Sequence, residues 1–355
     1  MTRTGGPHVT LEQVARRAGV SLATASRVLN GDGSRHVRDE LKDRVLSSAR
    51  ALHYVANAHA QTLARATSST VGLVTHDVSD PYFAHIARGA MRVATEQGLL
   101  VMLASTFRDS EREVAYTSVL RAQRARAILL LGSGFEDRAY TNAMRAELTP
   151  YRSAGGRVAA VSHHDFSVDA VLPDNRGGAA ELARALLGLG HRRFAVLTGP
   201  PRLTTVKHRF QGFRDALAEA GVELAEDAVV ENEFSQTGGY DGTLELLRRK
   251  VRCTALFCVN DVMAVGALEA LRENGVRVPD DLSVAGFDDI PIVRHLNPPL
   301  STMHLPLEEI GERVMSLALA EPTRRRHVET VTPVVTLRES TARVRRRSRQ
   351  ALSRA

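Results

Sequence analysis

The amino-terminal part of the chain has the apolar spacing of short amphipathic helices. In LEQVARRA the apolar positions recur at i, i+3, i+4 and i+7, which places them on one helical face. Gly19 follows as a residue type suited to a left-handed helix end, and Ser21 can cap a second helix two residues later. A third helix is predicted from Asp39 to about His53. The pattern therefore predicts two helices joined by a tight turn and packed against a third.

From Thr70 onward, short apolar runs alternate with amphipathic helical stretches such as PYFAHIARGAMRVATEQG and FQGFRDALAEAG. The runs are STVGLVTHDV, LLVMLAS, RAILLLGS, GRVAAVSHH, RRFAVLTGP, CTALFCVND and LSVAGFDD. This alternation predicts an α/β fold with parallel sheets, whose ligands bind beyond the carboxyl ends of the strands. No GxGxxG follows a strand and GPPRLTTVK lacks the ending of a P-loop, so no nucleotide cofactor is expected.

Positive charge is concentrated at the two ends of the 355-residue chain. Of the formal net charge of +7, residues 1–66 carry +5 and residues 343–355 carry +6, which leaves −4 on the 276 residues between them. A basic head on an acidic body is typical of a nucleic-acid binder. The arginine-rich tail has two interpretations: a disordered, solvated end, or an end whose charge adds nonspecific affinity for phosphate.

Composition argues against a membrane protein and against a metal or redox site. No apolar run approaches the roughly 20 residues of a membrane span, and Met1 to Val9 lacks the apolar core of a secretory signal, so we expect a soluble cytoplasmic protein. Cys253 and Cys258 lie five residues apart in an apolar strand, where buried thiols are expected rather than zinc ligands. No metal or other cofactor is predicted.

The second helix has an outward face suited to the major groove of DNA. Arg27 can donate two hydrogen bonds to guanine, and Leu22 and Ala23 can contact thymine methyl groups. Small polar side chains beside them can hold phosphates. A plain helical hairpin would explain the apolar spacing but neither the glycine turn nor this face. The predicted DNA-reading residues are Ser21, Leu22, Ala23, Thr24, Ser26, Arg27 and Asn30.

The stretches VTLEQVARRAGVSLATASRVLNG and VRDELKDRVLSSARALHYVANAHAQTLAR resemble the head and hinge of the LacI/GalR family of bacterial repressors. The resemblance implies that Leu22, Ala23 and Arg27 read bases, and that residues 57–64 form a hinge helix that packs against its dimer mate in the minor groove. Leu63 matches the leucine that wedges between base pairs there. The minor-groove residues implied by the match are Asn57, Ala60 and Leu63.

The hinge segment ANAHAQTLAR is rich in helix formers but too short to be stable alone, so its folding should depend on DNA and a partner helix. A solvated linker with an incidental leucine is the alternative. The chain departs from the family pattern in the loop GDGSRH, which is two residues longer, and in Ala56 and His59, which replace a usual proline and a small apolar residue. Arg38 also replaces the usual serine cap of the third helix, where Asp39 could serve instead.

The resemblance extends along the body through DVSDPYF, LLLGSG, TTVKHRFQGF, ENEFSQTGGY, CVNDVMAVGAL and AGFDDIP. It implies a cleft whose mix of aromatic and polar groups suits a sugar or another small polar ring. The phenylalanines could instead belong to the core, and Arg209 and Asp288 could form a structural ion pair. The implied effector-binding residues are the walls Tyr82, Phe83 and Phe234, the hydrogen-bonding Ser133, Arg209 and Asn260, and the acceptors Asp80 and Asp288.

The family architecture sets the expected domain boundaries. A homodimer on a palindromic operator is implied because one head buries too little surface to be specific. Effector binding would shift the population between DNA-competent and DNA-incompetent states. The expected domains are a head at 8–56, a hinge helix at 57–66, an effector-binding and dimerisation domain at 70–340 and a basic, disordered tail at 341–355. Within the third of these, the first lobe is expected at about 70–163 and 293–322, and the second at about 164–292 and 323–340.

Two other classes of function are alternatives: an α/β sugar-acting enzyme and a solute-binding protein. His163 and His164 follow a strand, but no GxSxG motif and no metal-ligand spacing accompany them. A transport component would need export and has no use for a helix-turn-helix. The sequence therefore predicts a DNA-binding transcriptional regulator, by family default a repressor, and does not specify its effector, its operator or the choice between dimer and tetramer.

Overall fold

The fold is taken from a computed structural model, which describes residues 9–30, 37–54, 69–321 and 325–344. The chain forms two compact units, Met1–Ser69 and Thr70–Ala355. The predicted hinge residues Asn57, Ala60 and Leu63 lie outside the described residues, as do the GDGSRH loop and most of the predicted tail. Within the described ranges, no helix is long and apolar enough to cross a membrane.

The described part of the first unit contains three helices around a small apolar core. They are α1 (Leu11–Ala18), α2 (Leu22–Asn30) and α3 (Asp39–Ala51). Val14, Ala25 and Val45, one from each helix, are completely buried against one another. The predicted helix-turn-helix packed on a third helix is confirmed, and α3 ends two residues before the predicted His53.

The turn between α1 and α2 has the predicted chemistry. Gly19 ends α1 with a φ of +63°, a conformation that glycine adopts without the steric penalty of a Cβ atom. Ser21 Oγ then accepts a hydrogen bond from Thr24 N at 3.2 Å and so caps α2. A side chain at Gly19 would also meet the guanidinium of Arg44, which donates to the carbonyl of Ala18 at 2.5 Å and ties α3 to α1.

The N-cap of α3 differs from the prediction. Arg38 occupies the cap position without a capping hydrogen bond, and Asp39 is the first helical residue rather than the cap. A side chain caps a helix from the position before the first helical residue, where it can reach the free N–H groups. Asp39 is not at that position, so it does not cap α3. Its carboxylate lies instead in the first turn, where it interacts favourably with the helix dipole.

The second unit contains two parallel sheets. The first has the strand order β11-β5-β4-β3-β1-β2, and the second has the order β7-β6-β8-β9. Two further strands, β10 and β12, pair antiparallel with each other. The strands are β1 (Thr70–Thr75), β2 (Leu100–Ser105), β3 (Ala127–Leu130), β4 (Arg157–Val161), β5 (Asp169–Pro173), β6 (Phe194–Thr198), β7 (Val229–Glu231), β8 (Ala255–Cys258), β9 (Ser283–Ala285), β10 (Thr302–His304), β11 (Val328–Val331) and β12 (Val334–Thr336).

Helices alternate with these strands, as the sequence predicts. They are α4 (Pro81–Glu96), α5 (Ser110–Ala122), α6 (Arg138–Ser153), α7 (Asn175–Gly188), α8 (Thr204–Glu219), α9 (Gln236–Arg248), α10 (Asp261–Glu273) and α11 (Leu307–Leu319). The pairs α4 with α11, α7 with α8, and α9 with α10 pack most extensively. We call the six-stranded sheet with α4, α5, α6 and α11 the first lobe, and the four-stranded sheet with α7 to α10 the second lobe.

The sheet pairing corrects the predicted lobe boundaries. β5 pairs in parallel with β4, and β11 pairs in parallel with β5, so both strands extend the sheet of the first lobe. The prediction had placed 169–173 and 328–331 in the second lobe. Hydrogen-bonded pairing decides which sheet a strand joins, and the short apolar runs of β5 and β11 carry no signal of their neighbour.

Candidate nucleic-acid interface and ligand cavity

The amino-terminal half of α2 presents the predicted DNA-reading surface. Ser21, Leu22 and Ala23 are exposed, while Thr24, Ser26 and Arg27 are half-buried. Leu22 leaves 51% of its surface in solvent, whereas Ala25 of the same helix is completely buried in the core of this unit. An exposed leucine followed by alanine supplies the apolar contacts that thymine methyl groups accept. Asn30 is the last residue of α2.

Arg27 is available for an external partner. Among the described residues its side chain forms no hydrogen bond and no ion pair, whereas Arg16 on α1 lies 3.3 Å from Glu12. A guanidinium on an exposed helix without a carboxylate partner has all five donors free for a base edge or phosphates.

In the second unit, a single cavity brings together all eight predicted effector-binding residues. The cavity lies at the carboxyl ends of the strands of both lobes and has a volume of about 20 Å³, room for one water molecule. Its lining consists of the predicted Asp80, Tyr82, Phe83, Ser133, Arg209, Phe234, Asn260 and Asp288, together with His76, Ser162, Leu203 and Thr205, which the sequence analysis did not identify.

The first lobe contributes the start of α4 to this cavity. Asp80 caps α4 by accepting a hydrogen bond from Tyr82 N at 3.0 Å, and burial raises the pKa of its carboxyl. Tyr82 and Phe83 pack edge to face with ring centroids 5.0 Å apart. Burial and the nearby Asp288 carboxylate raise the pKa of Tyr82, so its hydroxyl stays a hydrogen-bond donor.

The second lobe contributes Arg209, which is 1% exposed. Its Nε donates to Asn175 Oδ1 at 2.7 Å, Nη1 to Val259 O at 2.8 Å and Nη2 to Asp288 Oδ1 at 2.6 Å. The guanidinium also lies over the ring of Phe287 at 3.9 Å from its centroid. The structural ion pair considered as the alternative therefore exists, and it holds Arg209 rigidly in the wall of the cavity.

Asp288 and Asn260 complete the polar wall. Burial raises the pKa of Asp288 to about 6, and the Arg209 guanidinium opposes that rise. Asp288 has a φ of +119° and Ser162 a φ of +77°, conformations that side chains rarely adopt and that cluster at ligand sites. Asn260 Oδ1 caps α10 by accepting from Met263 N at 3.0 Å, which leaves its amide nitrogen without a partner among the described residues.

Backbone contacts join the two lobes beside the cavity. Glu136 N donates to Arg202 O at 2.8 Å and Thr204 N to Gly134 O at 3.0 Å. Ser133 Oγ accepts from Thr205 N at 3.0 Å, so this predicted ligand group already bridges the lobes. We call these contacts of residues 133–136 with 202–205 the lobe clasp.

Arg108 is a candidate site residue that the sequence analysis missed. It follows β2, pairs with Asp80 at 3.5 Å and lies over the ring of Phe234 at 5.4 Å from its centroid. Its Nε is buried, and no described residue forms a hydrogen bond with it. The signal was present in the sequence, because Arg108, His76 and Ser162 all follow carboxyl ends of strands, where ligand groups are expected.

A buried polar cluster lies behind the cavity in the first lobe. His76 Nε2 is 3.7 Å from Glu113 Oε2, and Tyr140 donates a hydrogen bond to Glu113 Oε1 at 2.5 Å. Both ring nitrogens of His164 are buried without a hydrogen-bond partner among the residues that the structure describes, and burial lowers the pKa of His164 to about 4. His164 is therefore a neutral, buried ring rather than an accessible acid or base.

The cysteines are buried on or beside β8, and burial raises the pKa of Cys253 to about 12. A thiol that stays protonated and inaccessible is a poor metal ligand or nucleophile.

Two families of domains match this chain. Residues 10–57 match the bacterial regulatory proteins of the lacI family, and residues 183–341 match the periplasmic binding protein-like domain.

The matches to individual proteins cover nearly the whole chain. The HTH-type transcriptional regulator GalS of Salmonella typhimurium is 36% identical over 311 residues, which are 88% of this chain and 89% of that protein. The ribose operon repressor of Haemophilus influenzae is 31% identical over 334 residues, which are 93% of this chain and 98% of that protein.

Solved structures show the same architecture. The transcriptional regulator CelR in complex with cellobiose has a TM-score of 0.68 at 30% identity, covering 94% of this chain and 99% of that one. The Lac repressor dimer bound to operator and the anti-inducer ONPF has a TM-score of 0.78 at 24% identity, covering 95% and 100%, a likeness of fold.

Proposed function

Because this chain belongs to the LacI family of bacterial regulatory proteins, we propose that it is a repressor whose dimeric heads read a palindromic operator under the control of a sugar bound in the cavity of the second unit. It is a DNA-binding transcriptional regulator with a small-molecule effector. The observation that carries the proposal is the convergence of the eight predicted effector residues on one cavity.

The exposed half of α2 supports operator reading. Leu22 and Ala23 supply apolar contacts, and the capping Ser21 places its hydroxyl at the start of the helix. Arg27 supplies a guanidinium that no described residue pairs with. In the helix-turn-helix the second helix enters the major groove with its amino-terminal residues at the bases. The minor-groove roles of Asn57, Ala60 and Leu63 stay part of the proposal on the family resemblance alone.

The edge of the first lobe supports a homodimer. β2 is the last strand of its sheet, and it exposes Leu100 by 66% and Leu103 by 40%. Phe107, which follows the strand, is 62% exposed, and Val119 on α5 is 50% exposed. An edge strand with exposed apolar side chains invites aggregation unless another chain covers it. Pairing of two first lobes through this surface would also bring two heads to one operator.

The composition of the cavity supports a sugar as effector. Carboxylates, an amide, a guanidinium and a tyrosine can bond ring hydroxyls, while Phe83 and Phe234 offer apolar faces. The relatives point to the same class, since one represses a ribose operon and another was solved with cellobiose.

We infer a regulatory rather than a catalytic role for the cavity. Its strongest charges, Arg209 and Asp288, neutralise each other at 2.6 Å, and His164 is buried behind it without access to a ligand. A binding role needs only fixed donors and acceptors, whereas hydrolysis needs a positioned acid or nucleophile. A regulator that binds operator DNA would act where that DNA is, so the proposal includes a cytoplasmic location.

A selection experiment tests this function. The purified full chain is incubated with random duplex DNA, the bound fragments are sequenced, and binding to the enriched sequence is repeated with a panel of sugars. We expect a palindrome whose half-sites are spaced by the helical repeat, about 10 base pairs or a multiple, and at least one sugar that shifts the affinity. Absence of any enriched sequence at moderate salt would refute operator reading, and enrichment without a response to any sugar would refute the effector class.

A further inference from the structure

Five arginines lie along the amino-terminal edge of the first-lobe sheet. We call them the arginine edge: Arg126 before β3, Arg157 at the start of β4, Arg152 at the end of α6, and Arg325 and Arg326 before β11. Arg157 N donates to Arg126 O at 3.2 Å, so the two residues are neighbours across adjacent strands. Four of the five line one surface depression of about 460 Å³, whose lining includes Asp169 as its single acidic residue.

Most of this charge is directed at solvent. Arg126 and Arg326 are exposed, and their side chains form no hydrogen bond or ion pair among the described residues. Arg152 donates to the carbonyl of Ser167 at 2.7 Å, which leaves its charge uncompensated. Arg157 lies 4.0 Å from Asp169, at the outer limit of an ion pair. A lone aspartate therefore faces several guanidiniums.

The positive charge of the arginine edge contrasts with the negative net charge of the part of the chain around it. Residues 67–342, which contain the whole arginine edge, carry a formal net charge of −4. Because five like charges repel one another, clustering them does not stabilise the fold. Such a cluster fits an anionic partner, for which guanidiniums supply bidentate donors.

The position of the edge identifies the partner. Arg126 N donates to Thr70 O at 2.8 Å, so the arginine edge begins beside the residue at which the second unit starts. The 14 residues between Tyr54 and Ser69 connect this point to the helix-turn-helix and span at most about 50 Å when extended. Any DNA held by the head is therefore tethered within reach of the arginine edge.

We propose that the arginine edge binds the phosphate backbone of the DNA that flanks the operator. The inference rests on the proposed operator reading and adds to it a second, sequence-independent contact made by the effector domain itself. Because that domain changes state with the effector, flanking contacts would add to the coupling between effector and DNA affinity.

The test compares operator duplexes that differ only in length. Binding of the full chain is measured with the minimal operator and with the same operator extended by about one helical turn, or 10 base pairs, on each side. The wild type should bind the longer duplex more tightly. The variant Arg126→Gln with Arg326→Gln should lose this gain, by about threefold or more, and the slope of log affinity against log salt should fall by about 0.9 for each phosphate contact removed. Neither side chain has a partner within the described ranges, so folding should be unchanged.

A matched control removes the same charge elsewhere in the second unit. In the second lobe, Arg252 lies beside β8 and Arg272 lies on α10. Both side chains are exposed, and neither is paired among the described residues. Arg252→Gln with Arg272→Gln should leave the gain from the flanks intact. The inference is overturned if the wild type gains nothing from the longer duplex, or if the control loses as much as the edge variant. Failure of the wild type to bind either duplex would overturn the proposed function together with it.

Discussion

Arg209 shows how one buried residue can hold its surroundings together and also line the proposed effector site. Its guanidinium bonds Asn175, Val259 O and Asp288 and stacks on Phe287, yet it forms part of the cavity lining. Each of these partners fixes the plane of the guanidinium, so that its remaining N–H donors have a defined direction.

We predict that Arg209→Ala destabilises the second unit by about 3 to 5 kcal/mol, because it leaves the Asp288 carboxylate buried without its counter-ion. Arg209→Met combined with Asp288→Asn should recover most of that loss in denaturant unfolding, since it removes both charges at once. The double variant should still fail to bind the effector in calorimetry. Full effector affinity in the stable double variant would show that the pair has only a structural role.

For Arg27, we expect that Arg27→Ala relaxes the preference at one base pair of the operator by about 1 to 3 kcal/mol. Its half-buried guanidinium has no partner in the described part of the chain, so it can bond a guanine. Arg50→Ala on α3 is the control and should alter affinity equally for all sequences or not at all. An unchanged sequence preference of Arg27→Ala in a repeated selection would contradict base reading.

His164 makes stability depend on pH in a defined window. Unfolded, its ring takes a proton near pH 6.5, but burial together with the neighbouring His76 and His163 lowers the folded pKa to about 4, against the attraction of Glu113. The unfolded state therefore binds more protons between these values, and the stability present above pH 6.5 is lost as the pH falls to 4. Relative to His164→Leu, the wild type should lose about 3 kcal/mol over this window. Parallel unfolding curves of the two proteins at each pH would contradict this.

At the scale of elements, glycines set the distance between paired helices. A Cβ at Gly89 of α4 would collide with the carbonyl of Glu308, and a Cβ at Gly311 of α11 would collide with the carbonyl of Ile86. Gly212 of α8 meets the carbonyl of Arg176 on α7 in the same way, and Gly239 of α9 that of Met263 on α10. The obstacles are backbone atoms, which cannot rotate away, so each helix pair depends on its glycines.

Gly311→Ala should therefore force α4 and α11 apart and cost about 1 to 3 kcal/mol or more, despite the better helix propensity of alanine. The matched control is Gly188→Ala on α7, where a Cβ meets nothing within 4 Å and a gain of about 0.5 to 1 kcal/mol is expected. Thermal unfolding separates the two, and equal shifts in both variants would contradict the packing argument.

For the whole second unit, the closed cleft is the main constraint on mechanism. A cavity of about 20 Å³ cannot hold a sugar, since small-molecule pockets occupy roughly 300 to 1,000 Å³. We therefore expect the lobes to separate when the effector enters, which would strain the lobe clasp of residues 133–136 and 202–205. Domain closure and opening around a fixed hinge is a common route by which such a site signals to distant parts of a protein.

Hydrogen exchange measures this motion. The amides of Glu136 and Thr204, which bond across the clasp, should exchange faster when a binding sugar is present, while amides of β6 in the core of the second lobe should not change. Unaltered exchange of the clasp amides at a saturating sugar concentration would mean that side-chain movements alone make room for the effector.

The sequence by itself determined the helix-turn-helix and the alternating α/β body. Periodicity and capping are local properties, so LEQVARRA, Gly19 and Ser21 predicted α1, its end and the start of α2 within a few residues. The motifs at strand ends likewise predicted the eight residues of one cavity, because parallel strands deliver their carboxyl ends to a shared edge.

Only the tertiary structure decided which sheet β5 and β11 join, because strand pairing is made by residues far apart in the chain. The sequence left open whether Arg209 and Asp288 pair, and only the fold brings their side chains to 2.6 Å across a separation of 79 residues. The fold alone also brings Arg108 to Phe234 across the lobes. Neither the clasp nor the closure of the cleft has a sequence pattern, since both depend on how the two sheets face each other. Local pattern fixes elements and the residues at their ends, whereas long-range contacts fix which of those residues meet.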